Sequence, residues 1–123
     1  MQNQLKRLQN STSLADLKNE LVDPGFNRKV LEQIRKDFVQ LELEIDIENP
    51  EVIPQMQSHL ERLLETGMEK LMNLLYRIDI SEKKIVRFSE SDPHMPYRDV
   101  LTFLIIQREA EKVLFRQIYK PEQ

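Results

Sequence analysis

Ile53–Ile78 reads IPQMQSHLERLLETGMEKLMNLLYRI. Ile53, Met56, Leu60, Leu63, Leu64, Met68, Leu71, Leu74, Leu75 and Ile78 recur at three- and four-residue steps, the spacing of a single helical face. Gln55, Arg62, Glu65, Glu69 and Asn73 fall on the other side, and only Gln57 intrudes on the apolar one. The pattern predicts one helix about 39 Å long, at about 1.5 Å per residue, serving as the spine of a small bundle. Gly67 lies within the apolar stripe, where it suits close approach of a neighbouring helix at a cost of about 1 kcal/mol against alanine.

Upstream, residues 1–12 are polar except for Leu5 and Leu8 and read as a frayed or short helical lead-in. Ser13, with Asp16 three residues on, predicts an N-cap for a short amphipathic helix carrying Leu14, Leu17, Leu21 and Val22. Asp23-Pro24-Gly25 stops that helix, and Asn27 is the expected cap of the next. Val30, Leu31, Ile34, Phe38, Leu41 and Ile45 share one face of it. The segment VQLELEIDI at 39–47 also alternates apolar and polar, the period of a strand. Because the upstream stripe continues in register and Leu and Glu favour helix, the helix is expected to run to about residue 45. Val39, Leu43 and Ile47 then form a second apolar line that something else must cover.

Asn49-Pro50 and Asp92-Pro93 each place a capping residue before a proline and predict two further helix starts. Ser81 predicts the cap of a short helix through Phe88. The last helix is expected over about 93–119, ended by Lys120-Pro121. Val100, Phe103, Leu104, Ala110, Leu114, Phe115 and Ile118 form its main stripe. Leu101, Ile105, Ile106 and Val113 make its first half apolar nearly all round. Such a helix is either the centre of a bundle or half of a dimer contact.

The expected fold is therefore one all-α domain spanning 1–123. It is an antiparallel bundle of about four main helices with a short extra helix in the 80–92 connection. With 123 residues there is material for a single core. A chain 40% apolar and 32% charged, with two glycines, is composed to fold. A net charge of −3 supplies no general attraction to nucleic acid or anionic membrane. Cysteine is absent, which removes disulfides and thiolate chemistry. No apolar run approaches the roughly 20 residues of a membrane span, and the N-terminus lacks a signal core. A cytoplasmic protein without membrane partner is expected.

Four constellations hold residues that could carry chemistry. Tyr76, Arg77, Asp79, His94, Tyr97 and Arg98 would gather at one end of an antiparallel helix pair, either as an anion or proton-transfer site or as a salt-bridged latch. Gln107 and Glu111 lie one turn apart in the last helix, as a buried acid site or as rim residues. Arg98, Lys112, Arg116 and Lys120 make a basic face interrupted by Glu109. It would meet phosphates or answer the acidic run Glu42, Glu44, Asp46, Glu48 and Glu51. Glu61, Glu65 and Glu69 form an acidic ladder interspersed with Arg62 and Lys70, which reads as a solvated face. No metal or cofactor is expected, since Glu-x-x-His pairs on helices, phosphate loops and nucleophile triads are all missing from the sequence.

LLYRIDISEKK at 74–84 together with LIIQRE at 104–109 resembles a group of small uncharacterised bacterial all-helical proteins. The resemblance covers the C-terminal half, implies a bacterial, cytosolic setting, and attaches no activity. The expected role is a non-catalytic protein-interaction or structural module that self-associates as a homodimer. Its candidate interface is Val39, Leu43, Ile47, Leu101, Ile105 and Ile106. A ligand-binding or catalytic role for the polar cluster, and nucleic-acid binding by the basic face, are the alternatives.

Overall fold

The computed structural model describes residues 2–119; the expected stop at Lys120-Pro121 lies outside them. Among the described residues the chain is all helical and has no strand. Its seven helices are α1 (Gln2–Asn10), α2 (Leu14–Glu20), α3 (Pro24–Val39), α4 (Val52–Thr66), α5 (Met68–Ile78), α6 (Glu82–Ser91) and α7 (Tyr97–Tyr119).

Local chemistry sets most starts. Ser13 caps α2 by accepting from the Asp16 amide at 3.1 Å, and Ser81 caps α6 by accepting from the Lys84 amide at 3.2 Å. Asp16 answers in kind, accepting from the Thr12 amide at 3.0 Å. The cap of α3 is Asp23, not Asn27. Its Oδ2 accepts from the Phe26 amide at 2.9 Å, with Pro24 in the first turn, where no amide hydrogen is needed. The two later proline starts are delayed. Asn49 accepts from the Glu51 amide at 2.8 Å in a turn ahead of α4. After Asp92-Pro93 the helix begins only at Tyr97, where the Pro96 carbonyl accepts the amides of Asp99 and Val100.

The expected continuation of α3 to residue 45 does not occur. Leu43 N–H bonds the Phe38 carbonyl at 3.1 Å, Glu42 N–H bonds the Val39 carbonyl at 3.0 Å, and Glu42 sits at φ 61°. That is a Schellman ending with a left-handed residue, and it turns the next apolar side chain inward. Leu43 is buried, as is Ile45 in the irregular segment beyond it. The same device closes α5. Ile80 N–H bonds the Leu75 carbonyl at 3.0 Å, Asp79 stands at φ 75°, and Ile80 is buried.

The spine is two helices. Gly67 ends α4 through its amide on the Leu63 carbonyl at 2.9 Å and starts α5 through its carbonyl on the Leu71 amide at 2.9 Å. A Cβ there would come within 2.8 Å of Leu63 Cδ2. The chain changes direction at this point. Glu61 on α4 meets Arg98 at the start of α7, whereas Asp79 beyond α5 meets Arg108 further along the same helix.

The centre of the domain is α7, which packs against all six other helices. This is why its first half is apolar all round: Val100 through Gln107 are all buried. Leu101, Ile105, Ile106 and Leu43, expected at an interface with a second chain, are core residues of this one. Their surplus apolar surface is covered by the chain's own helices. Of the remaining two, Val39 is exposed at the end of α3 and Ile47 is half-buried.

Candidate functional site: an apolar cleft and a buried acid pair

A cleft of about 620 Å³ lies between α2, α3, the 47–51 connection and the start of α4. Val30 and Ile34 of α3, Met56 of α4 and Ile106 of α7 form its buried floor. Leu21, Leu31, Ile47 and Ile53 line it half-exposed. Lys18, Asn27, Glu48, Asn49 and Glu51 supply the polar lining. An apolar floor beneath a polar rim, at this volume, has the form of a ligand or side-chain receptor. Glu48 is held by Arg28 at 2.7 Å, whose hydrogen bond and charge keep its carboxyl below the usual range. Three separated segments build the cleft, so no local motif announces it.

The six residues expected at one polar end are not brought together. Arg77 pairs with Asp37 of α3 at 3.2 Å, Asp79 with Arg108 at 3.0 Å, and Arg98 with Glu61 and Asp99 at 2.8 and 3.1 Å. Arg98 and Arg108 are about 15 Å apart along α7 at its ordinary rise. Tyr76, His94 and Tyr97 are exposed. Between the two groups of residues the chain makes a further helix, α6, rather than a direct connection.

Gln107 and Glu111 are buried rather than at the rim. Gln107 Nε2 donates to the Leu8 carbonyl at 3.0 Å, and Glu111 accepts from Gln9 Nε2 at 3.2 Å. They fasten the end of α1 to α7. Arg108 reaches Glu111 at 3.5 Å.

The residue that sequence reading missed is Glu109. It looked like an interruption in a basic face, yet it is completely buried. Lys112 Nζ lies 2.7 Å from Glu109 Oε1 but outside hydrogen-bond geometry, so as a carboxylate it would lack a proper donor. Burial, reinforced by the facing Asp37 and opposed by Lys112, pushes its pKa up to about 9. At that value Glu109 keeps its proton at pH 7, facing Asp37. For Asp37 burial works upward, but the Glu109 proton, Lys112 and Gln33 outweigh it and hold the carboxyl low. Lys112 at 3.0 Å, Arg77 at 3.2 Å and Gln33 at 3.2 Å converge on its oxygens. The pair sits between α3 and α7.

Of the expected basic face, Arg98 and Lys112 answer acids within the fold, Arg116 donates to neutral Gln33 at 2.6 Å, and Lys120 lies outside the described residues. Among the described residues no three metal-ligating side chains converge, and no helix is long and apolar enough to cross a membrane. Comparison with protein-family models, curated proteins and solved structures finds no match.

Proposed function

We propose that the protein is a non-catalytic interaction module and that the α2–α3–α4 cleft receives the apolar side chains of a basic amphipathic segment of another protein. The observation that carries this reading is the cleft itself, with buried Val30, Ile34, Met56 and Ile106 below half-exposed Leu21, Leu31, Ile47 and Ile53. Its volume suits two or three leucine-sized groups. The charge of the partner follows from one wall. Glu48, paired with Arg28, and Glu51 line the cleft opposite the single cation Lys18, and Glu42, Glu44 and Asp46 continue the acidic run beyond it. Opposite charge at a rim speeds encounter and sets orientation more than it adds affinity.

The test is a fluorescence anisotropy titration with a labelled helical peptide bearing leucines on one face and lysines on the other. Saturable binding that weakens with salt and is lost in Leu31→Glu and Ile53→Glu, with thermal unfolding unchanged, supports the reading. Absence of binding, or binding indifferent to both substitutions, overturns it.

A second reading, self-association, draws on a different surface. Met68, Met72 and Tyr76 follow one another at four-residue steps on α5 and are 52%, 41% and 87% exposed. Light scattering over a concentration series decides it: a dimer abolished by Met72→Glu supports it, and a monomer throughout removes it.

A further inference from the structure

We infer that the shallow depression between α3 and α7, on the side of α3 away from the cleft, binds the dianionic phosphate of a small phosphate monoester. It measures about 190 Å³ and is lined by Lys29, Glu32, Gln33, Arg35, Lys36 and Arg116. That is room for a phosphate group, with the rest of its molecule outside.

Three observations converge. Lys29, Glu32, Gln33 and Lys36 follow the i, i+3, i+4, i+7 spacing, so two ammonium groups stand one on each side of Gln33. Gln33 is 8% exposed and its carboxamide is pinned at both ends, with Nε2 donating to Asp37 Oδ2 at 3.2 Å and Oε1 accepting from Arg116 Nη1 at 2.6 Å. The neutral amide therefore orients the Arg116 guanidinium at the depression without cancelling its charge. A planar guanidinium fork flanked by ammonium groups is the arrangement that prefers a doubly charged tetrahedral oxyanion.

The third observation is the local balance of charge. The neighbouring carboxylates are engaged elsewhere. Glu32 pairs with Arg28 at 3.3 Å. Asp37 is held by Lys112 and Arg77. Glu109 is completely buried and does not line the depression. Among the described residues Lys29, Arg35, Lys36 and Arg116 form no ion pair. Four cations against the single carboxylate of Glu32 in the lining, in a chain of net charge −3, make a local reversal of sign, and such a reversal raises the local concentration of anions.

The experiment is an amide chemical-shift titration with inorganic phosphate and with glycerol phosphate, set against dimethyl phosphate and acetate at matched ionic strength. Saturable shifts confined to residues around 29–36 and 112–118 are expected with the two dianions, with dimethyl phosphate and acetate at least about tenfold weaker. Lys36→Gln and Arg116→Gln should each weaken glycerol phosphate about tenfold. Glu32→Gln should tighten it, and Lys84→Gln on α6 should leave it unchanged. Since Arg116→Gln also frees Gln33, Lys29→Gln serves as a variant that touches no internal bond. Equal response to dimethyl phosphate and acetate, unsaturable shifts, or indifference to Lys29→Gln and Lys36→Gln would show adventitious ion screening only and overturn the site.

Discussion

Asp37 on α3 and Glu109 on α7 share one ammonium group: Lys112 Nζ stands 3.0 Å from Asp37 Oδ2 and 2.7 Å from Glu109 Oε1. Two facing carboxyls in a closed interior do not both ionise, and their surroundings decide which keeps the proton. Asp37 collects Lys112, Arg77 and Gln33, so it is the anion, and Glu109 is the acid.

Stability should therefore fall on the alkaline side. Glu109 has a folded pKa of about 9 against an ordinary 4.5. Between those values the folded state holds a proton that the unfolded chain has released. The contribution is complete below about pH 4.5 and is lost as pH rises towards 9, at about 1.4 kcal/mol per pH unit. From pH 7 to pH 9 urea denaturation should show a loss of about 2–3 kcal/mol. Glu109→Gln should flatten that slope. Asp37, with its lowered pKa, acts in the opposite sense and loses its contribution as pH falls below about 4.

Removing Asp37 should be costly at any neutral pH. Asp37→Ala takes the counterion from half-exposed Arg77 and leaves Lys112 with Glu109 alone. The loss should be about 1–3 kcal/mol, below that of a fully enclosed pair because water reaches Arg77. Asp37→Asn keeps the shape and should lose less, and chemical denaturation of the two variants separates charge from packing.

Gln107→Leu should release α1. The substitution deprives the Leu8 carbonyl of its 3.0 Å donor and should cost about 1–3 kcal/mol. Hydrogen exchange should quicken over residues 3–10 before it quickens in α3 or α4. Uniform loss of protection would mean instead that α1 and the core unfold together.

Glu42→Gly should stabilise. The left-handed φ of 61° at Glu42 is one that glycine adopts without a Cβ penalty. The gain should be about 1 kcal/mol, read as a rise in thermal midpoint. Asp79→Gly, at the matching ending of α5, should gain less, because it also gives up the ion pair with Arg108.

Ile105→Glu should unfold the chain, not merely dissociate an assembly. Ile105 is 0% exposed on the helix that every other helix touches, and an unpaired buried charge has no partner there. Loss of helical circular dichroism at low concentration is the expected outcome. Retained helicity would place Ile105 on a surface.

What the sequence determined by itself is local or periodic. The caps at Ser13 and Ser81 are short-range hydrogen bonds. The stripes through Val30, Ile34 and Phe38, and through Met56, Leu60, Leu71 and Leu74, mark core membership, because a helix must bury its apolar face. Three things were decided only when the helices met. The stripe of 53–78 stays in register across Gly67, so periodicity cannot report the change of direction there. The left-handed endings at Glu42 and Asp79 use acids where glycine would have signalled them. Their cost is offset by burying Leu43 and Ile80 in a core that exists only once α7 is surrounded. Glu109 shows the same dependence in its charge. A carboxylate on a basic-looking helix becomes a buried neutral acid because the packed helices desolvate it and set it against Asp37, from a segment seventy-two residues earlier. The cleft is equally non-local, since Leu21, Leu31, Ile47 and Ile53 face one another only through the packing of α2, α3 and α4. Periodicity says which side of a helix is apolar; which neighbour covers it, and what remains uncovered, is a property of the assembled domain.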